Sequence, residues 1–76
     1  MSERVYLSRK LISYNVRKLR RKRDLSQQEL ATESGLTRAY IGRIESKGQN
    51  VTVDTIDALA DALGVHPRDL LSPKGS

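Results

Sequence analysis

The segment from Ser26 to Glu45 most constrains the fold, because it contains two helix starts and a turn between them. Ser26 and Glu29 match the capping-box pattern, in which the serine hydroxyl accepts the N–H of the third helical residue and the glutamate reaches back to the cap. Gly35 allows the backbone to turn within a few residues, and Thr37 can cap the helix that follows. The segment therefore predicts two short helices that meet at a tight turn.

Apolar residues at helical spacing predict three more helices outside this segment. Helix 1 carries an apolar stripe on Ile12, Val16 and Leu19, and Asp24 follows it, where a short acidic side chain tolerates the left-handed conformation of a helix end. The predicted elements are helix 1 over residues 8–23 with Ser8 as its cap, helix 2 over 26–34, helix 3 over 37–46, helix 4 over 53–63 and a last short helix over 67–71.

These elements predict an all-α fold, a compact five-helix domain with short connections and no strand. Residues 1–7 are expected to be an N-terminal extension, 8–71 the domain and 72–76 a flexible tail. Thr52 can cap helix 4. The apolar residues of that helix are expected on its inward face, namely Val53, Ile56, Leu59, Ala60 and Leu63.

The distribution of charge narrows the classes of partner. Residues 1–50 hold 12 of the 14 Lys and Arg residues against 5 acidic ones, whereas residues 51–76 hold 2 against 4, so the net charges are +7 and −2. A basic half favours an anionic polymer or surface. Nucleic acid is therefore the leading partner, with a membrane surface and an acidic protein as the alternatives.

Residue types that support catalysis or metal binding are scarce. Cysteine is absent, which excludes disulfides and cysteine-ligated zinc, and His66 is the single histidine. We interpret His66, next to Pro67, as a loop or cap residue rather than a catalytic or metal-binding one. We expect neither an enzyme nor a cofactor. No apolar run approaches the about 20 residues that span a bilayer, so a cytoplasmic protein is expected.

Four stretches carry a family resemblance: Val16–Arg20, Leu25–Ala31, Tyr40–Glu45 and Ala60–Val65. With them the chain resembles a Cro/repressor-type (XRE-like) helix-turn-helix regulator, the class that includes phage repressors and restriction–modification controller proteins. The Asn50–Val53 entry to helix 4 looks most like the controller proteins. The resemblance implies a lambda-repressor-like domain with helices 2 and 3 as the helix-turn-helix. A plain helical hairpin is the alternative, but it does not explain the arginines on helix 3.

By this resemblance, helix 3 enters the major groove of double-stranded DNA. The base-contacting residues are then Arg38, Ala39 and Arg43, since arginine can donate two hydrogen bonds to guanine and an alanine methyl suits thymine. The residues expected at the DNA backbone are Arg17, Gln27, Thr37, Tyr40, Lys47, Gln49 and Asn50. Arg20 and Glu45 are expected to form a partly buried ion pair between helices 1 and 3, with a phosphate contact as the alternative for Arg20.

The basic run from Arg17 to Arg23 has three interpretations. It can be a solvated basic face, a nuclear-localisation signal, or a patch that contacts DNA flanking the recognition site. Arg17 is the strongest candidate for the last role. Since Val16 and Leu19 place the run in a core helix, we favour a division between solvated residues and DNA contacts.

The predicted function is sequence-specific transcriptional regulation, with the protein bound as a homodimer to a palindromic operator. A dimer is expected because one 76-residue chain reads only a few base pairs. Candidates for its surface, some of which can belong to the core instead, are Ile56, Leu59, Val65, Leu70 and Leu71. Two other hypotheses are an antitoxin that neutralises a toxin and binds DNA secondarily, and a basic module that binds RNA or anionic membrane non-specifically. RNA polymerase is a further candidate partner.

Overall fold

The computed structural model describes residues 7–73. The predicted N-terminal extension, apart from Leu7, and residues 74–76 of the predicted tail lie outside that range. The elements in chain order are α1 (Leu7–Lys22), α2 (Gln27–Ser34), α3 (Arg38–Lys47), α4 (Val53–Leu63) and a 3-10 helix (Pro67–Leu70). Residues 7–73 contain no strand, so the prediction of an all-α fold is confirmed.

The predicted count of five α-helices is wrong, because the last element is a 3-10 helix of four residues. Its bonds join residues three apart, as between the Asp69 N–H and the His66 carbonyl at 2.8 Å. Pro67 at the start has no N–H to donate, and so short a segment offers few bonds of the longer α-helical type. Between residues 7 and 73, no helix has both the length and the apolar character needed to cross a membrane.

The ends of α2 and α3 agree with the local signals in the sequence. The Ser26 hydroxyl accepts from the Glu29 N–H at 3.0 Å, and the Glu29 carboxylate accepts from the Ser26 N–H at 2.8 Å. The hydrogen bond from the Ser26 backbone N–H, together with the smaller effect of the Ser26 hydroxyl, holds the pKa of the Glu29 carboxyl below its ordinary value. Gly35 ends α2 with a φ of 77°, and Asp24 has the predicted left-handed conformation with a φ of 56°. The prediction that Ser8 caps the first helix is wrong, because Leu7 is already helical.

The core is formed by residues from all four α-helices, with α2 packing against both α3 and α4. Its fully buried apolar residues include Val16 of α1, Ile41 and Ile44 of α3, and Leu59 of α4. Leu70 of the 3-10 helix closes the core from the far end of the chain and is also fully buried. Leu59 and Leu70 therefore pack inside the subunit, and the prediction that they form a dimer surface is wrong.

The side of α4 that is buried differs from the predicted side by a rotation about the helix axis. Val53 is 74% exposed, and Thr55 is buried in the first turn instead. Thr55, Leu59 and Leu63 follow one another at intervals of four residues, and this spacing places them on one side of a helix. Burial of Thr55 is tolerated because its hydroxyl accepts a hydrogen bond from Thr52 at 3.0 Å.

Asn15 of α1 fixes the end of the described chain. Its side chain is 1% exposed, and its amide nitrogen donates to the carbonyl oxygens of Leu70 at 3.0 Å and Ser72 at 2.9 Å. No local sequence signal indicates a role for Asn15, because its partners lie 55 and 57 residues further along the chain. This polar anchor holds the 3-10 helix against α1.

Candidate nucleic-acid interface

The outward face of α3 carries the residues predicted to contact bases. A step of about 100° per residue places Ala39, Arg43 and Ser46 within about 60° of one another, and all three are exposed. Arg38 is exposed at the first position of the helix. Ser46 was not among the predicted DNA contacts, although its spacing of seven residues from Ala39 places it on the same side of the helix. We name as the reading face the four exposed residues Arg38, Ala39, Arg43 and Ser46.

The side chains of Tyr40 and Arg43 contact each other beside the reading face. The guanidinium carbon of Arg43 lies 5.7 Å from the centroid of the Tyr40 ring. The Tyr40 hydroxyl donates a hydrogen bond of 2.6 Å to the carbonyl oxygen of Asn50. Thr37 caps α3, since its hydroxyl accepts from the Tyr40 N–H at 3.1 Å.

The side chain of Glu45 is the polar centre that joins α1, α2 and α3. Arg20 donates to both carboxylate oxygens, from Nε to Oε2 at 2.6 Å and from Nη2 to Oε1 at 3.0 Å. The two side chains are 12% and 4% exposed, so the predicted ion pair is present and partly buried. Its hydrogen bonds raise the pKa of the Arg20 guanidinium, against the opposing effect of burial. Gln27, expected at the DNA backbone, donates to Glu45 Oε1 at 3.3 Å.

The backbone carbonyl of Glu45 forms a second link to α1. It accepts hydrogen bonds from the Ser13 hydroxyl and from Arg17 Nη1, the latter at 3.3 Å. A positive donor is favourable there because the carboxyl end of a helix carries a partial negative charge. Arg17 therefore lies at the end of α3, while Ser13 is a contact that the sequence did not indicate.

The loop after α3 packs closely against the first turns of α1. Gly48 ends α3 with a φ of 62°, one residue later than predicted, and a Cβ added there would lie 2.2 Å from the Arg9 carbonyl oxygen. Lys47, Gln49 and Asn50 are exposed around this contact. Three of the residues expected at the DNA backbone are thus brought together at the carboxyl end of the reading face.

Comparison with known proteins agrees with this arrangement of helices. A family model described as helix-turn-helix matches residues 16–70. The chain belongs to this helix-turn-helix family. Its members are DNA-binding transcriptional regulators. The chain is 43% identical over 67 residues to the control protein C.SmaI of Serratia marcescens, across 88% of this chain and 80% of that protein.

Two solved structures support the same assignment. The hypothetical transcription factor NHTF from Neisseria is 38% identical with a TM-score of 0.85, over 90% of this chain and 76% of that one. The restriction–modification controller protein C.AhdI from Aeromonas hydrophila is 42% identical with a TM-score of 0.76, over 79% of this chain and 91% of that one. The resemblance to a Cro/repressor-type regulator, and to controller proteins in particular, is confirmed.

The side chains of the basic run from Arg17 to Arg23 point in several directions. Arg20 turns inward to Glu45, whereas Arg23 donates to the Ala62 carbonyl. Lys18 lies over the Tyr14 ring, with Nζ at 5.3 Å from its centroid. The run is therefore divided among structural and surface positions.

His66 caps the 3-10 helix, as interpreted from the sequence. Its Nδ1 accepts from the Arg68 N–H at 3.1 Å, and its own N–H donates to Asp69 Oδ2 at 3.1 Å. No cluster of potential metal ligands occurs within residues 7–73.

Proposed function

We propose that the protein is a sequence-specific transcriptional regulator that binds a palindromic operator as a homodimer, with α3 in the major groove. The exposed reading face on α3 is the observation that carries this proposal. It contains two arginines and two small residues, a composition that allows a helix to enter a groove about 12 Å wide and to bond guanine edges. The only acidic residue of α3, Glu45, is buried against Arg20.

The surroundings of the reading face support binding to phosphates on both sides of it. Thr37 lies at the amino end of α3, while Lys47, Gln49 and Asn50 lie at its carboxyl end. Arg17 reaches the carbonyl of Glu45 in the last turn. We assign these residues to the DNA backbone, where such contacts set the orientation of the protein but carry no base information.

The dimer follows from the information that one reading face can supply. A single α3 covers only a few base pairs, and two-fold related copies would read two half-sites. With Leu59 and Leu70 in the core, we assign the dimer surface to the three remaining candidates. Ile56 and Val65 are half-buried and Leu71 is 39% exposed. The second half of the chain has a net charge of −2, which limits repulsion between two subunits of net +5.

Because C.SmaI is named a control protein and C.AhdI a restriction–modification controller, we propose that this chain regulates the genes of a restriction–modification system. A dimer bound beside a promoter can repress by excluding polymerase or activate by contacting it. The antitoxin hypothesis requires a toxin as partner, and none of the observations above indicates one.

Selection from a random duplex library at about 150 mM salt tests the proposal. We expect a palindrome whose half-sites lie about one helical turn apart, and a mass in solution close to twice 8.5 kDa. Arg43→Ala should abolish the preference at one base position, worth about 1–3 kcal/mol. Lys18→Ala, the matched control on α1, should leave every base preference unchanged. Weak binding to all DNA with no enriched sequence would instead indicate a non-specific basic module.

A further inference from the structure

We infer that Tyr40 is a positioning residue with two separable roles at the DNA interface. Its ring orients Arg43 for base reading, and its hydroxyl fixes the loop that follows α3. This inference rests on the proposed function, because it assumes that α3 reads bases. It replaces the expectation that Tyr40 itself contacts the DNA backbone.

The role of the ring follows from its position one turn before Arg43. The distance of 5.7 Å between the guanidinium carbon and the ring centroid falls within the about 6 Å of a cation–π contact. Arg43 is otherwise exposed, and a long exposed side chain loses rotamer freedom when it binds. A ring that already restricts Arg43 lowers this cost. Among residues 7–73, Arg38 has no such ring contact, so it provides an internal reference.

The role of the hydroxyl follows from a chain of hydrogen bonds. The Tyr40 hydroxyl donates to the Asn50 carbonyl at 2.6 Å and lies 3.4 Å from the Thr55 hydroxyl. Thr55 is in turn bonded to Thr52 at 3.0 Å. Tyr40 therefore connects α3 to the loop and to the first turn of α4.

The conformation of the loop explains why such a connection is needed. Asn50 has a φ of 56°, in the left-handed region that residues other than glycine, asparagine and aspartate seldom adopt. The bond to its carbonyl oxygen helps to hold this conformation and, with it, the exposed Gln49 and Asn50 side chains. Since the hydroxyl hydrogen is used here, the phenol acts through the loop rather than as a donor to phosphate.

The two roles predict different effects for two substitutions at the same position. Tyr40→Phe keeps the ring and removes the hydroxyl, so it should weaken binding to every duplex by one common factor of no more than about tenfold. Tyr40→Leu removes the ring as well. It should also reduce the preference for the guanine read by Arg43 by about two- to fivefold, leaving the preference set by Arg38 unchanged.

The experiment uses the full chain and the duplex enriched by the wild-type protein. Copies of this duplex carry 7-deazaguanine in place of one guanine at a time, which removes the N7 acceptor. Arg43→Ala and Arg38→Ala identify the guanine that each arginine reads. Fluorescence anisotropy then gives the loss of affinity at each guanine for the wild type, Tyr40→Phe and Tyr40→Leu, and thermal melting verifies that each variant is folded.

Three results would overturn the role of the ring. They are an unchanged loss at the Arg43 guanine in Tyr40→Leu, an equal reduction in Tyr40→Phe, or a parallel reduction at the Arg38 guanine, which would indicate a general distortion of α3. Equal affinities of Tyr40→Phe and the wild type for all duplexes would overturn the role of the hydroxyl.

Nuclear magnetic resonance of the free protein separates this inference from the proposed function. The ring current should shift the side-chain protons of Arg43 upfield in the wild type and Tyr40→Phe but not in Tyr40→Leu. An absent shift in the wild type refutes the ring contact without reference to DNA. A shift that is present while no duplex enriches refutes base reading itself, and the positioning role with it.

Discussion

Substitution of Gly48 by alanine tests the packing of the loop that follows α3 against α1. Gly48 has a φ of 62°, and an added Cβ would lie 2.2 Å from the carbonyl oxygen, 2.9 Å from the carbonyl carbon and 3.0 Å from the Cα of Arg9. All three atoms belong to the backbone of α1, so no side-chain rotation can relieve the contact. The loop and the helix have to separate.

Two costs add at this position. A left-handed conformation costs a residue with a Cβ about 1–2 kcal/mol, and forcing additional atoms into a packed site costs about 1–3 kcal/mol. We therefore expect Gly48→Ala to lower the free energy of unfolding by about 2–5 kcal/mol, a large fraction of the about 5–15 kcal/mol of a typical domain.

Gly35→Ala is the matched control, because Gly35 has a φ of 77° but no atom within 4 Å of the added Cβ. It should show the conformational cost alone, about 1–2 kcal/mol, reduced by the lower entropy of the unfolded chain. Urea unfolding followed by far-ultraviolet circular dichroism gives both values. If Gly48→Ala is no more destabilising than Gly35→Ala, the close contact with Arg9 does not exist as described.

Three further predictions concern α1 and α2. Arg20→Ala leaves Glu45 buried without its charge partner and should lower the free energy of unfolding by about 3–5 kcal/mol, measured by urea unfolding. Asn15→Ala removes the donor to two carbonyl oxygens and should cost about 1–3 kcal/mol, whereas the exposed Gln28→Ala should stay within about 0.5 kcal/mol of the wild type. Because the folded-state pKa of Glu29 is lowered, its contribution is present above the carboxyl pKa of the unfolded chain and is lost as pH falls through the folded pKa. Glu29→Gln should therefore lose less stability on acidification than the wild type, as followed by thermal melting between neutral and acid pH.

The sequence predicted best those features that depend on neighbouring residues. The capping box at Ser26 and the turn at Gly35 involve partners within a few positions, so their chemistry is readable from the local order of residues. The left-handed conformation of Asp24 belongs to the same class. The positions of the four α-helices, to within a residue or two at their ends, follow from such signals together with apolar spacing.

Features that depend on distant partners were missed or misplaced. Asn15 is an ordinary polar residue of α1 until the end of the chain folds back to it. Leu70 was interpreted as a surface candidate because nothing local indicates that the 3-10 helix closes the core. In α4, Val53 was predicted to be inward but is exposed, and Thr55 is buried instead. The spacing of apolar residues alone does not determine which side of this helix meets the core.

Glu45, at the proposed interface, has one contact that was predicted and two contacts with distant residues that were not. Its ion pair with Arg20 was predicted from the family resemblance, but its carbonyl also accepts from Ser13 and Arg17. Backbone and side chain of one residue thus attach the last turn of α3 to α1. A helix attached at a single atom can rotate about its own axis, whereas bonds to both the carbonyl and the carboxylate of Glu45 oppose that rotation. The direction in which Arg43 projects consequently depends on residues of α1, and substitutions at Ser13 should alter base preference without removing any atom of the reading face.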